Sequence, residues 1–119
     1  MLARLTLCLA LLATTAHADG YAVGDTIEDP MQIAREAFEG FPPDDEGRPG
    51  VEVSASTDFF GALTILVAQT GFADDSVAGQ REQYVLNRVD NMWEITFRRT
   101  DYLCRRGANT VTWQGDLCP

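Results

Sequence analysis

The stretch from Gln80 to Cys104 constrains the fold more than any other part of the chain. Two runs of alternating apolar and polar residues meet there at Asp90-Asn91, a pair suited to a two-residue hairpin turn. The predicted pairs are Val89 with Met92, Arg88 with Trp93, Leu86 with Ile95, Tyr84 with Phe97 and Glu82 with Arg99. A slip of one residue would move every side chain to the other face, so the pattern predicts an antiparallel hairpin with one apolar face.

The first residues have the pattern of a secretory signal peptide. Met1 to Ala18 combines a basic start at Arg4 with a short apolar run and an A-x-A ending. The apolar run is shorter than the roughly 20 residues that span a bilayer. Leu7 stands before Cys8 where lipid attachment requires a small residue. We therefore expect cleavage after Ala18, a periplasmic or secreted product, and no membrane insertion after cleavage.

The mature chain is acidic and has the length of one domain. We predict a flexible lead-in over residues 19–28 and a single domain over residues 29–119. The chain has 9 Lys+Arg and 18 Asp+Glu, and loss of Arg4 leaves 8 basic against 18 acidic residues, a net charge of −10. Such a surface argues against nucleic acid as a partner.

The inventory of reactive residues is small. The only histidine is His17, within the signal peptide, and the chain has no lysine. The mature protein therefore lacks a histidine general base, a histidine metal ligand and a Schiff-base lysine, and we predict no cofactor, no metal and no enzymatic activity. Its cysteines, Cys104 and Cys118, are expected to form a disulfide because an exported chain meets oxidising conditions.

Residues 31–41 have the pattern of a short amphipathic helix. Asp29 and Pro30 suit the N-cap and the first helical position. Gly40 and the prolines after it favour an end near Phe41. The apolar positions at helical spacing are Ile33, Ala34, Ala37, Phe38 and Phe41.

A second hairpin is predicted between the helix and the main hairpin. The strands Val51–Thr57 and Ala62–Gln69 alternate, and a turn ending at Gly61 sets Val53 opposite Val67 and Ala55 opposite Ile65.

Two adjacent aromatic residues occupy the predicted turn of this second hairpin. Phe59 and Phe60 are unusual there, because turn positions are commonly polar. They either cap the end of the core or form a small exposed contact patch. We favour capping, because large apolar side chains are more often buried.

These elements predict an α+β fold. One N-terminal amphipathic helix packs on a four-stranded antiparallel sheet, and the C-terminal segment is tied by the disulfide. A helix followed by a meander resembles cystatin-like or NTF2-like folds, an analogy of fold that does not extend to function.

From Phe72 onward the chain resembles a set of small uncharacterised exported proteins of Gram-negative bacteria. They share an A-D-D-S-V-x-G segment, then a Trp-led strand, then a C-x-x-G…W…L-C ending. The matching residues here are Ala73 to Val77, Gly79, Trp93, Cys104, Gly107, Trp113, Leu117 and Cys118. The resemblance implies export and a disulfide, and it implies no reaction.

The leading hypothesis is an exported binding or accessory protein that acts on a protein or a cell-envelope component. Arg98, Arg105 and Arg106 are its predicted binding residues, because arginine clusters recognise carboxylates and phosphates. The oligomeric state is left open.

Two alternatives remain. One is a periplasmic inhibitor of a hydrolase, with the loop Arg105–Trp113 as a plug. The other is a glycan hydrolase using Asp74, Asp75 or Glu82, although turn chemistry accounts for the adjacent aspartates.

Overall fold

A computed structural model describes residues 20–42 and 46–119. The predicted signal peptide lies outside the described residues. The elements in chain order are β1 (Thr26–Ile27), α1 (Met31–Glu39), β2 (Gly50–Thr57), β3 (Leu63–Thr70), β4 (Val77–Val89) and β5 (Met92–Cys104). Within these residues the strands form one antiparallel sheet in the order β1-β5-β4-β3-β2.

The predicted α+β fold with a four-stranded sheet is wrong. The described residues form a mostly-sheet protein, a five-stranded curled half-barrel with one short helix. The additional strand β1 lies in the segment assigned to the lead-in, where Thr26 pairs with Glu94 and Ile27 with Trp93. A strand of two residues is too short to produce a readable alternation, which is why the sequence pattern did not indicate it.

The helix is a minor part of the structure. It ends at Glu39, two residues before the predicted end at Phe41. It begins at Met31, and Pro30, predicted for the first helical position, takes the N-cap position predicted for Asp29. The carboxylate of Asp29 accepts a hydrogen bond of 2.9 Å from the Met31 N–H. Ile33 is the buried residue of α1, whereas Phe38, predicted to face the sheet, is 54% exposed. The helix therefore covers a small area of β2 and β3.

The main hairpin has the predicted register only near its turn. Val89 pairs with Met92 and Leu86 with Ile95, as predicted. A bulge at Thr96 then shifts the register, so Tyr84 faces Arg98 instead of Phe97. In the same way Glu82 faces Thr100 and not Arg99.

Side-chain hydrogen bonds hold the bulge in place. The Thr96 hydroxyl donates to the Val85 carbonyl at 3.2 Å and accepts a hydrogen bond of 2.8 Å from the Asn87 amide. The extra residue moves Phe97 to the face away from the core, where it is 45% exposed. It also turns Arg98 toward the face that holds Tyr84.

The second hairpin has the predicted register throughout. Val53 pairs with Val67 and Ala55 with Ile65. The core lies on this face of the sheet, and Tyr21 and Ile33 cover it. Its buried residues are Tyr21, Ile27, Ile33, Leu63, Ile65, Val67, Tyr84, Leu86 and Ile95.

The C-terminal tail folds over the other face. The predicted disulfide between Cys104 and Cys118 is present. The Arg81 guanidinium carbon lies 5.0 Å from the centre of the Trp113 ring, and Arg81 also pairs with the buried carboxylate of Asp101 at 2.8 Å. Among the described residues, no helix is long and apolar enough to cross a membrane.

Candidate functional site

The turn between β2 and β3 presents two aromatic side chains to water. Phe59 is 97% exposed and Phe60 is 92% exposed, so the prediction that they cap the core is wrong. We call this pair the aromatic tip. Their rings meet edge to face, with centroids 5.6 Å apart. Burying a phenylalanine side chain contributes about 1.5–3 kcal/mol to folding stability, and neither ring makes this contribution here. The stability of the fold therefore does not explain why the turn has two phenylalanines.

Asp58 organises the loop that bears the aromatic tip. One oxygen of its carboxylate accepts hydrogen bonds from the Phe60 N–H at 2.8 Å and the Ala62 N–H at 2.9 Å. Its carbonyl accepts from the Gly61 N–H at 3.1 Å, and its own N–H donates to the Ala62 carbonyl at 3.0 Å. These bonds close the loop, so the two rings are displayed by an ordered turn.

Gly61 allows the loop to close. Its φ of +85° lies in the left-handed region that side chains disfavour, and no atom lies within 4 Å of where a Cβ would be. The position therefore needs glycine for its backbone conformation and not for space.

The turns of both hairpins lie at the same end of the sheet. Leu63, the first residue of β3 after the aromatic tip, pairs with Leu86 of β4. The β4–β5 turn follows three residues beyond Leu86, with Val89 at the end of β4 43% exposed. Glu28 lies at the same end, because the residue before it, Ile27, pairs with Trp93 near the start of β5. We call this the tip end.

The tip end is acidic around its apolar residues. Asp58, Asp90 and Glu28 are exposed there. Arg88 also lies at this end, and its guanidinium carbon lies 5.4 Å from the centre of the Trp93 ring. Asp29, next to Glu28, pairs with Arg35 at 3.0 Å. The surface therefore combines apolar side chains with an excess of negative charge.

The predicted binding residue Arg98 lies on the core face of the sheet, opposite Tyr84. Its Nε pairs with the Glu82 carboxylate at 3.3 Å, and its guanidinium carbon lies 5.8 Å from the centre of the Tyr84 ring. The Glu82 carboxylate also accepts hydrogen bonds from the Thr100 hydroxyl at 2.8 and 2.9 Å. Arg98 and Glu82 are thus engaged with each other inside the fold.

Arg105 and Arg106 lie at the opposite end of the sheet from the aromatic tip. Arg105 donates from Nε to the Asp74 carbonyl at 3.0 Å and from a terminal nitrogen to the Phe72 carbonyl. Arg106 is exposed nearby. The structure therefore brings Arg105 and Arg106 together and leaves Arg98 apart from them. Of the three predicted binding residues, Arg98 and Arg105 make contacts within the fold.

The predicted carboxylates Asp74 and Asp75 lie on the same loop. Asp74 accepts hydrogen bonds of 2.7 Å from the Ser76 and Val77 N–H groups, which hold the pKa of this carboxyl below its usual value. Asp75 lines an open groove of about 430 Å³ together with Arg48 and Arg105. Asp74 therefore has the turn role that its sequence context favours.

A smaller pocket lies between α1 and the sheet. It measures about 160 Å³, and Glu36, Glu82, Tyr21 and Tyr84 are among its lining residues. The Tyr21 hydroxyl donates to Glu36 at 2.7 Å, and burial raises the pKa of Tyr21 above its usual value, so this hydroxyl stays protonated. The pocket is smaller than the roughly 300–1,000 Å³ usual for small-molecule sites.

Within residues 20–42 and 46–119, no group of three or more His, Cys, Asp or Glu side chains could hold a metal ion.

The predicted plug loop Arg105–Trp113 does not project its aromatic residue into solvent, because Trp113 packs on Arg81 and against Gly79. Val111 of this loop is 84% exposed. The aromatic tip is therefore the more prominent apolar projection of the described residues.

Comparisons of the chain with protein-family models, with curated proteins and with solved structures found no significant match. The site is consequently defined by its own geometry. The sequence signal for the site is the placement of two phenylalanines between Asp58 and Gly61, where turn residues are commonly polar. Of the two interpretations of this pair, the exposed patch agrees with the structure and the favoured capping role does not.

Proposed function

We propose that the protein is an exported binding protein without enzymatic activity, and that the aromatic tip is its docking element. The observation behind this proposal is the exposure of Phe59 and Phe60, at 97% and 92%, on a turn closed by hydrogen bonds. Aromatic side chains dominate the energy of protein interfaces, and an ordered loop loses little conformational freedom on binding.

Export is supported by the signal-peptide pattern of residues 1–18 and by the disulfide, since disulfides persist in oxidising compartments. We propose the periplasm as the site of action. Sequencing the N-terminus of protein recovered from the periplasm tests this, and we expect it to begin at Asp19. Recovery of an uncleaved chain from the cytoplasm would contradict it.

A capture experiment tests the docking role. The bait is the exported, oxidised protein, and the binding variant is Phe59→Ser/Phe60→Ser. Val111→Ser is a matched control, because Val111 is 84% exposed on the tail, away from the tip. We expect an envelope protein that the wild type and V111S capture and that the binding variant loses. Equal capture by all three baits, or none, would count against the proposal.

The shape of the tip end favours one version of this function, inhibition of a hydrolase. Both hairpin turns project at the same end, a shape suited to entering a cleft. In this version the aromatic tip replaces the loop Arg105–Trp113 as the plug. If the captured partner is a hydrolase, the wild type should inhibit it and F59S/F60S should not. Undiminished inhibition by F59S/F60S would exclude the aromatic tip as the plug.

A further inference from the structure

The tip end has the arrangement of a protein-binding hot spot. Phe59 and Phe60 form an exposed apolar projection that Asp58 directly precedes. Other exposed charged residues lie at the same end of the sheet, and we call the charged residues of this end its rim. In protein interfaces a few aromatic anchors supply most of the binding energy, while the surrounding polar residues exclude water and select the partner. The charge of the rim therefore indicates the chemistry of the partner.

The rim is predominantly negative. Asp58, Asp90 and Glu28 contribute three acids to the tip end, and Arg88 opposes them. Asp29, the residue after Glu28, is neutralised by Arg35 in an ion pair of 3.0 Å. The Arg88 guanidinium lies against the Trp93 ring. A partner with basic residues around its own binding site gains from this field, and an acidic partner is repelled.

Two other occupants fit this surface poorly. Lipid-binding surfaces combine apolar anchors with lysine and arginine, which attract anionic headgroups, whereas the chain has no lysine and the rim is acidic. A second copy of the chain would bring the same acidic surface, with its Asp58 and Asp90, against that of the first in a symmetric contact. Both arrangements oppose like charges.

We infer that the partner is a protein whose apolar cleft is bordered by basic residues. This inference rests on the proposed function and specifies its partner. The aromatic tip fills the cleft, and the acidic rim meets the basic border. Charges at the rim of an interface act mainly on the association rate, which then falls as salt screens them.

A neutral-rim variant separates the charge from the aromatic anchor. Glu28→Gln/Asp58→Asn/Asp90→Asn removes the three acids and leaves both phenylalanines in place. An asparagine at position 58 keeps an oxygen that can accept from the Phe60 and Ala62 N–H groups. Asparagine also tolerates the φ of +54° at position 90. The variant is therefore expected to fold.

The test measures association and dissociation rates of the captured, purified partner with the wild type, the neutral-rim variant and F59S/F60S. For the wild type we expect the association rate to fall about tenfold or more between low and high salt. For the neutral-rim variant we expect a similar loss already at low salt, with little further change on adding salt. The dissociation rates of these two proteins should stay within about threefold, because rim charges act on encounter.

The outcomes distinguish this inference from the proposed function. Loss of binding only in F59S/F60S, with wild-type rates for the neutral-rim variant and no salt effect, would overturn the inference and leave the docking role intact. Sedimentation of the wild type, but not F59S/F60S, with phosphatidylcholine vesicles would also overturn the inference, since the partner would then be lipid. Equal binding by F59S/F60S and the wild type would contradict the docking role itself.

Discussion

The two ends of the molecule use aromatic residues in opposite ways. At the tail, Trp113 lies over Arg81, which pairs with the buried carboxylate of Asp101. At the tip, Phe59 and Phe60 stand almost fully in water. The tail aromatic shields charges that the fold needs, whereas the tip aromatics contribute nothing to the fold. Changes at the tail should therefore alter stability, and changes at the tip should alter binding.

The largest loss of stability is expected from removing the disulfide that holds the tail. Cys104→Ala/Cys118→Ala should lower the free energy of unfolding by about 3 kcal/mol, because the bridge closes a loop of roughly 15 residues. Urea unfolding followed by tryptophan fluorescence measures this. A variant as stable as the wild type would show that the tail holds its place without the bridge.

The next largest effect is expected from the buried carboxylate under the tail. In the wild type the Asp101 carboxylate pairs with Arg81 at 2.8 Å and with Arg99 at 2.6 Å. Asp101→Asn leaves both guanidiniums without this shared anion. We expect a loss of about 2 kcal/mol, less than for a fully buried pair because both guanidiniums reach solvent. Asp75→Asn, an exposed carboxylate on a loop, is the control and should change stability by less than about 0.5 kcal/mol. Equal effects of the two changes would contradict the role of Asp101.

The same carboxylate predicts a pH dependence. Burial alone would raise the pKa of Asp101, but hydrogen bonds from Arg81 and Arg99 outweigh it and hold the pKa below its usual value. The stabilisation is therefore complete above the unfolded-state pKa of about 3.9 and is lost as the pH falls through the folded-state pKa. The stability difference between the wild type and D101N should be constant near neutral pH and shrink below about pH 4. A difference that stays constant in acid would contradict this assignment.

A smaller effect on stability is expected from the loop that displays the tip. Asp58→Ala removes the acceptor of two backbone N–H groups and should cost about 1 kcal/mol. It should also weaken partner binding, because a loosened loop must be ordered on docking. Asp58→Asn keeps an acceptor and should retain more of the stability than D58A. Equal stability of D58A and the wild type would show that the loop is ordered by other contacts.

The smallest effect on stability is expected from the tip itself. F59S/F60S should change the free energy of unfolding by less than about 0.5 kcal/mol, because neither ring is buried. Thermal unfolding of this variant beside the wild type measures it. A loss of about 2 kcal/mol in the free energy of unfolding would show that the tip aromatics stabilise the fold as the tail does, and would contradict the contrast between the two ends.

The sequence predicts the fold best where alternation and turns agree. The predicted β2–β3 register and the predicted first pairs of the β4–β5 hairpin are correct. In each hairpin the position of the turn and the alternation of apolar and polar residues indicate the same pairing. The bulge at Thr96 was not predictable, because Ile95, Phe97 and Arg99 continue the alternation without a break. Hydrogen bonds of Thr96 to Val85 and Asn87, which join two strands, decide the shift.

The site was visible in the sequence but given the wrong interpretation. For Phe59 and Phe60 the sequence leaves two interpretations, a cap on the core or an exposed patch, and the usual burial of apolar residues favours the wrong one. They lie beyond the last pair of the hairpin, Thr57 with Leu63, where the sheet has ended. Arg98 and Arg105 were assigned to binding from their charge alone, and the sequence does not show that Glu82 and the loop carbonyls engage them.

Photo-crosslinking from the tip tests the central claim most directly. Phe60 and, in a separate protein, Val111 are replaced by benzoylphenylalanine, and each protein is exported and irradiated in intact cells. Both positions are highly exposed, at 92% and 84%, but they belong to the tip and the tail respectively. We expect a discrete crosslinked partner from position 60 and none from position 111. A partner crosslinked from position 111 but not from position 60 would contradict the assignment of docking to the aromatic tip.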